Sequence, residues 1–122
     1  MNKIVETKKK NKYTFDATDN KVGRLATRIS TILIGKNSPD YVPNLDNINR
    51  VVVENVDKLV FTGKKTEQKD YRHYSGYPGG LKKVPAKKLM VENPRKVLLH
   101  AVSRMLPKNK LRTPRLKRIS FK

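Results

Sequence analysis

Apolar and polar residues alternate from Tyr13 to Ala17, with Tyr13, Phe15 and Ala17 set against Thr14 and Asp16, and this period of two predicts a short strand. Asp19-Asn20-Lys21 supplies a turn. Val22, Leu25, Ala26, Ile29, Ile32 and Leu33 then recur at helical spacing. They predict an amphipathic helix that closes near Gly35, because glycine readily takes the left-handed conformation that ends a helix. Its outer face carries Arg24, Arg28 and Thr31. Ser38-Pro39-Asp40 and the residues to Asn49 are rich in turn formers. Arg50 to Glu54 holds Val51-Val52-Val53, a β-branched run that reads as a strand buried on both faces. Leu59-Val60-Phe61, within Lys58 to Thr62, predicts another strand.

Helical spacing returns in the second half. Pro85 to Glu92 reads as a short helix opened by Pro85, with Leu89 and Met90 on its inner side. Asn93-Pro94 then pairs a capping residue with a proline at the first helical position. Val97, Leu98, Ala101, Val102, Met105 and Leu106 form the apolar stripe of a second long helix that Pro107 stops. Lys96, His100 and Arg104 occupy its other face. With Pro107 and Pro114 bounding it, the basic stretch from Arg104 to Arg118 is expected to be extended and to lack a core, and Leu116, Ile119 and Phe121 predict a last strand. Apolar runs interleaved with helices argue for one α/β domain, with a mainly parallel sheet and helices on its faces.

One stretch has no period. Tyr71 to Lys83 reads Tyr-Arg-His-Tyr-Ser-Gly-Tyr-Pro-Gly-Gly-Leu-Lys-Lys, fits neither helix nor strand spacing, and is expected to be a glycine-rich loop. Tyrosine faces beside Arg72, His73, Lys82 and Lys83 suit an anionic partner with bases to stack on, which is the chemistry of RNA. The plainer alternative is a connection whose tyrosines turn into the core.

Charge favours the first reading. Lysine and arginine number 29 against 10 acids, a net charge of +19 on 122 residues. Residues 1–61 hold 11 cations and 7 acids, whereas residues 62–122 hold 18 and 3, so the excess lies in the second half. A polyanion would neutralise this self-repelling field. Tryptophan is absent, which weighs against a basic helix anchored in a membrane surface, and no apolar run is long enough to span a bilayer. The chain has no cysteine, so disulfides, thiolate catalysis and cysteine-based zinc sites are excluded. Met1 to Lys12 lacks the apolar core of a secretory signal and is expected to be a flexible basic arm, with Lys8-Lys9-Lys10 solvated.

Enzymatic chemistry finds little support. Thr62-Gly63-Lys64-Lys65-Thr66 resembles the end of a phosphate-binding loop, but Lys58 stands where that loop needs a glycine, so the segment reads as a cationic turn. Gly23 has no companion glycine and reads as the close-packed start of a helix. Asp16 and Glu54 both end strands and would meet at the carboxyl edge of a parallel sheet, either as metal ligands or as caps for the turns that follow. His73 and His100 stand apart, with no nucleophile and orienting acid around them.

A longer pattern joins these pieces. It comprises Asp16-Ala17-Thr18, Val22-Gly23-Arg24-Leu25-Ala26-Thr27, Gly35-Lys36, Val60-Phe61-Thr62-Gly63-Lys64-Lys65, the Tyr71 to Lys82 stretch, and Ala101-Val102-Ser103-Arg104-Met105-Leu106-Pro107-Lys108-Asn109-Lys110-Leu111. In order and spacing it resembles the bacterial-type large-subunit ribosomal protein thirteen family, over about residues 13 to 121. Departures include Lys12 in place of a tryptophan, Asn44 to Asn49 in place of the family's His-x-Asp-Thr-Gly-Asp, Arg112-Thr113 in place of Gly-Arg, and the lack of the usual tail. A shortened copy rich in lysine, asparagine and isoleucine is expected of an AT-rich genome, bacterial or organellar.

The resemblance implies a three-layer α/β/α domain with a four-stranded, mainly parallel sheet. It implies no catalytic residues, metal, cofactor, membrane contact or small-molecule substrate. The implied role is structural: binding large-subunit ribosomal RNA during early assembly, beside neighbouring ribosomal proteins, on the ribosome of a bacterial cytoplasm or an organelle. The residues expected to meet RNA are Arg24, Arg28 and Lys36; Lys64, Lys65 and Lys69; Arg72, His73, Tyr74, Ser75, Gly76, Tyr77, Gly79, Gly80, Lys82 and Lys83; and Arg104, Lys108, Lys110 and Arg112. Two alternatives stand beside it, an RNA-processing enzyme using the acids above and a free basic regulator that binds messenger RNA.

Overall fold

A computed structural model describes residues 5–7, 12–39, 41–44 and 49–122. The elements in chain order are β1 (Val5–Thr7), β2 (Lys12–Asp16), α1 (Val22–Ile34), β3 (Arg50–Glu54), α2 (Lys65–Gln68), β4 (Asp70–Tyr74), β5 (Leu81–Pro85), α3 (Ala86–Glu92), α4 (Pro94–Met105), α5 (Arg112–Leu116) and β6 (Ile119–Phe121). The main sheet has four strands in the order β1-β2-β3-β6. β2, β3 and β6 run parallel and β1 pairs antiparallel at one edge. This is the expected α/β architecture, a mainly parallel sheet with helices packed around it. The strand at Val5–Thr7 falls inside the stretch expected to be a flexible arm, whose other residues before Lys12 lie outside the described ones.

Register puts Tyr13, Phe15, Val51, Val53, Ile119 and Phe121 on one face of the sheet, where Phe15, Val51 and Val53 are buried. The other face carries Thr14 and Val52, both only half-buried. The expectation that the valine run is buried on both faces is thus corrected. Its side chains alternate as strand geometry demands, and the second face has the thinner cover.

Helix α1 buries Val22, Leu25, Ala26, Ile29, Ile32 and Leu33, the residues of its apolar period. It ends on Gly35 at φ 91°, whose N–H reaches the Ile32 and Thr31 carbonyls, each at 3.1 Å. α4 begins at Asn93-Pro94 as expected and buries Val97, Leu98 and Val102. The two helices and the inner sheet face share one core, in which each fully buried Leu or Ile contributes about 1.5–3 kcal/mol.

Four local expectations change. Leu59-Val60-Phe61 is no strand: Val60 makes a lone parallel bridge to Lys21, exchanging bonds with Asn20 and Val22 at the start of α1. A Cβ on Gly23 would meet nothing within 4 Å, so this glycine is not a close-packing residue. Pro85 caps the short helix α3 from outside it. The stretch after Pro107 is not extended, because α5 forms there, with Pro114 in the first turn where its missing N–H costs nothing. Arg115, 1% exposed, anchors that helix in the protein.

Candidate nucleic-acid interface

The aperiodic stretch is a hairpin, not a loop. β4 and β5 pair antiparallel from Asp70 opposite Pro85 to Tyr74 opposite Leu81, as a two-stranded sheet separate from the main one. Ser75 to Gly80 make the tip, held by Ser75 N–H to Gly80 O at 3.2 Å and Gly80 N–H to Tyr77 O at 2.9 Å. Gly76 and Gly79 sit at φ 89° and 74°, where a side chain would be strained. The sequence hid the strands because almost every hairpin residue is exposed, so no apolar face was there to write a period of two.

Charge works against this hairpin in isolation. Arg72 lies opposite Lys83, and like charges directly across a ladder destabilise it by about 0.2–1 kcal/mol per pair. A lone two-stranded hairpin is only marginally stable in water. Tyr74 and Tyr77 stand 61% and 75% exposed, so the tyrosines at the tip are not core.

At its root the hairpin is tied to the body. Lys69 Nζ lies 5.8 Å from the centre of the Phe61 ring and 5.4 Å from that of Tyr71, each contact contributing about 0.5–1 kcal/mol at an exposed site. The Tyr71 ring in turn meets His100 of α4 at 5.2 Å between centroids. Burial raises the Tyr71 phenol above its ordinary pKa, against the pull of Arg104. Burial also pushes the His100 imidazole below its ordinary value, and the charges of Arg104 and Lys69 act the same way.

Beside His100 opens a cleft of about 540 Å³, lined by His100, Ser103, Arg104, Lys108 and Arg112. The structure therefore gathers Lys69, Arg104, Lys108 and Arg112 around the root of the hairpin that carries Arg72, His73, Lys82 and Lys83. Lys64 and Lys65 are exposed at the start of α2, about one turn of helix before Lys69. Arg24 and Arg28 flank Thr27, whose hydroxyl lies 3.5 Å from the Met105 sulfur, so they border the C-terminal end of α4. Lys36 is not brought into this group. It follows α1 next to Asn37, which bonds the Tyr13 hydroxyl at the start of β2, the opposite edge of the sheet from the α1 N-terminus. Lys110 is exposed but does not line the cleft.

Comparison with known proteins identifies the pattern. The family model for ribosomal protein L13 matches residues 10–121. The chain belongs to the ribosomal protein L13 family. Large ribosomal subunit protein uL13 of Thermus thermophilus is 53% identical over 104 residues, covering 85% of this chain and 74% of that protein. The uL13 of Pseudothermotoga lettingae is 48% identical over 116 residues, covering 95% of this chain and 79% of its own length. That of a Thermoanaerobacter species is 48% identical over 119 residues, with 98% and 82% covered. These relatives carry the names of ribosomal proteins, which are not enzymes, and the RNA-processing alternative falls.

In this L13-family chain the two acids weighed as metal ligands do meet, since Asp16 and Glu54 are register partners at the carboxyl edge. Their chemistry is structural. Asp16 accepts the Thr18 N–H at 2.9 Å, the Thr18 hydroxyl at 2.7 Å and the Asn55 carboxamide at 3.2 Å, and these bonds hold it below the usual carboxylate range, the Thr18 N–H most of all. Glu54 pairs with Lys122 at 3.7 Å. No group of three metal-ligating side chains occurs among the described residues. Sequence reasoning missed Ser103 and gave His100 no place in the binding set. It also missed Asn49, which is buried and donates its carboxamide to the Ile32 carbonyl at 2.9 Å near the end of α1. Of the departing segment Asn44 to Asn49, residues 45–48 lie outside the described ones.

Proposed function

We propose that this chain is a structural constituent of the large ribosomal subunit that binds and organises large-subunit ribosomal RNA during early assembly. Its place is the ribosome of the bacterial cytoplasm, next to other large-subunit proteins, as the names and organisms of its relatives support. The observation that carries the RNA reading is the exposed β4–β5 hairpin, whose opposed cations and bare tyrosines suit a polyanion carrying stackable bases. Arg24, Arg28, Lys64 and Lys65 extend the same field, and the tip glycines Gly76 and Gly79, with open space where a Cβ would stand, let the backbone approach a phosphate closely, whereas Gly80 makes room for the Ser75 hydroxyl within the turn.

Sedimentation of cell extract followed by mass spectrometry tests the assignment: the chain is expected in the large-subunit peak. Recovery in the soluble pool alone would favour the free regulator of messenger RNA. If about six phosphates are neutralised, log affinity for large-subunit ribosomal RNA falls against log salt with a slope of roughly −4 to −5. A slope near zero would remove the electrostatic basis of the proposal.

A further inference from the structure

His100 is one of two histidines in the chain, and neither the stacking tip nor the exposed cations explain its setting. Among the described residues, the charged groups that act on it or line its cleft are cations. Lys69 acts on it from the chain before β4, Arg104 from its own helix one turn on, and Lys108 and Arg112 line the cleft it opens into; the Tyr71 ring of β4 lies against this exposed imidazole. Ser103 adds a hydroxyl, and no acid is among the lining residues. The positive neighbours thus disfavour the charged form of this imidazole, while the cleft presents an arc of donors with no acid among its lining residues.

A phosphate placed there reverses the balance. Its charge would offset Arg104, Lys108 and Arg112, and an imidazolium gains a charge-assisted bond that a neutral ring donates less strongly. The cleft's volume also admits the sugar that flanks a backbone phosphate. We propose that this cleft seats one phosphate group, supplied by the RNA backbone, and that His100 joins it as the imidazolium, so that filling the seat takes up a proton from solvent. The proposal rests on the RNA reading above and adds to it a defined subsite and a pH dependence.

Affinity of the full chain for transcribed large-subunit ribosomal RNA, measured at constant ionic strength from pH 5.5 to 7.5, tests it together with calorimetry in two buffers of different ionisation enthalpy. Binding is expected to weaken several-fold as pH rises, by at most about tenfold per pH unit for one proton. Calorimetry is expected to show a fraction of a proton absorbed near neutral pH. His100→Gln is expected to reduce the proton uptake and flatten the profile, and to do so equally in a His73→Gln background, where any uptake by the hairpin imidazole is already removed. Identical affinity across the range with no proton uptake overturns the seat and leaves the RNA reading intact. Proton uptake that persists in His100→Gln and disappears in His73→Gln overturns it as well. Absence of RNA binding at every pH overturns the RNA reading and the seat with it. Inorganic phosphate supplies a second arm: if it shifts the His100 ring signals and RNA does not, the seat takes the free ion and its assignment to the RNA backbone is overturned.

Discussion

Leu98 and Tyr77 stand in contrast, the first 0% exposed on the inner side of α4 and the second 75% exposed at the hairpin tip. Around Leu98 the side chains of α1, α4 and the inner sheet face exclude water and supply the stability of the fold. Around Tyr77 nothing is excluded. The hairpin persists on its ladder bonds, its glycine turn and the Lys69–Tyr71–His100 contacts at its root, against cations that repel across the ladder. One region is thus stabilised by its own packing, and the other, on the proposed RNA reading, is completed by a partner. Natural chains accept such local cost where function requires it.

Substitution can break this comparison most sharply at the core. Leu98→Ala is expected to cost about 2–5 kcal/mol of stability, read as a lower melting temperature or denaturant midpoint. A loss below about 1 kcal/mol would mean that the helices and sheet do not form a close-packed interior.

The reverse pattern is expected at the tip. Tyr77→Ala and Tyr74→Ala are each expected to weaken RNA binding by about 1–3 kcal/mol while changing stability by less than about 0.5 kcal/mol. Unchanged binding with a marked fall in melting temperature would make the tip part of the core.

A finer test swaps one cross-strand charge. Lys83→Glu turns the like-charge pair with Arg72 into an opposite-charge pair, which is expected to stabilise the free hairpin by about 0.2–1 kcal/mol. Amide exchange of β4 and β5 is expected to slow, and RNA binding is expected to weaken. Tighter RNA binding from this variant would show that the opposed cations serve no polyanion.

The smallest effect is the pH dependence of the free fold. His100 has a lowered pKa in the folded state, so below its unfolded value of about 6.5 the unfolded chain binds more protons than the folded one. Stability attributable to this group is therefore complete above that pH and is lost on acidification through the folded value. Asp16, also lowered, adds a further loss in the more acidic range below ordinary carboxylate values. Denaturant midpoints at pH 7.5 and 5.5 check the first window. A fold that gains stability on acidification there would contradict the neutral His100.

Several elements were legible from residues alone. Helix α1 announced itself through its apolar period and Gly35, α4 through Asn93-Pro94 and its stripe, and β2, β3 and β6 through short apolar runs. Such signals are local, because helix and strand periods and glycine sterics act over a few residues. Composition likewise pointed to a polyanion, and the tyrosines and cations of the hairpin were identified without knowing that they form strands. Tertiary structure decided the rest. The hairpin left no period because neither of its faces is buried, and Pro114 looked like a boundary although it lies in the first turn of α5, which Arg115 holds in place. Lys36 carries the same charge as Lys69, yet only Lys69 reaches the hairpin root. The cleft itself joins His100 and Ser103 of α4 to Lys108 and Arg112 beyond it, and sets Tyr71 of β4 against His100. That assembly depends on the Tyr71–His100 contact between the hairpin root and α4, a long-range contact that no local period along the chain encodes.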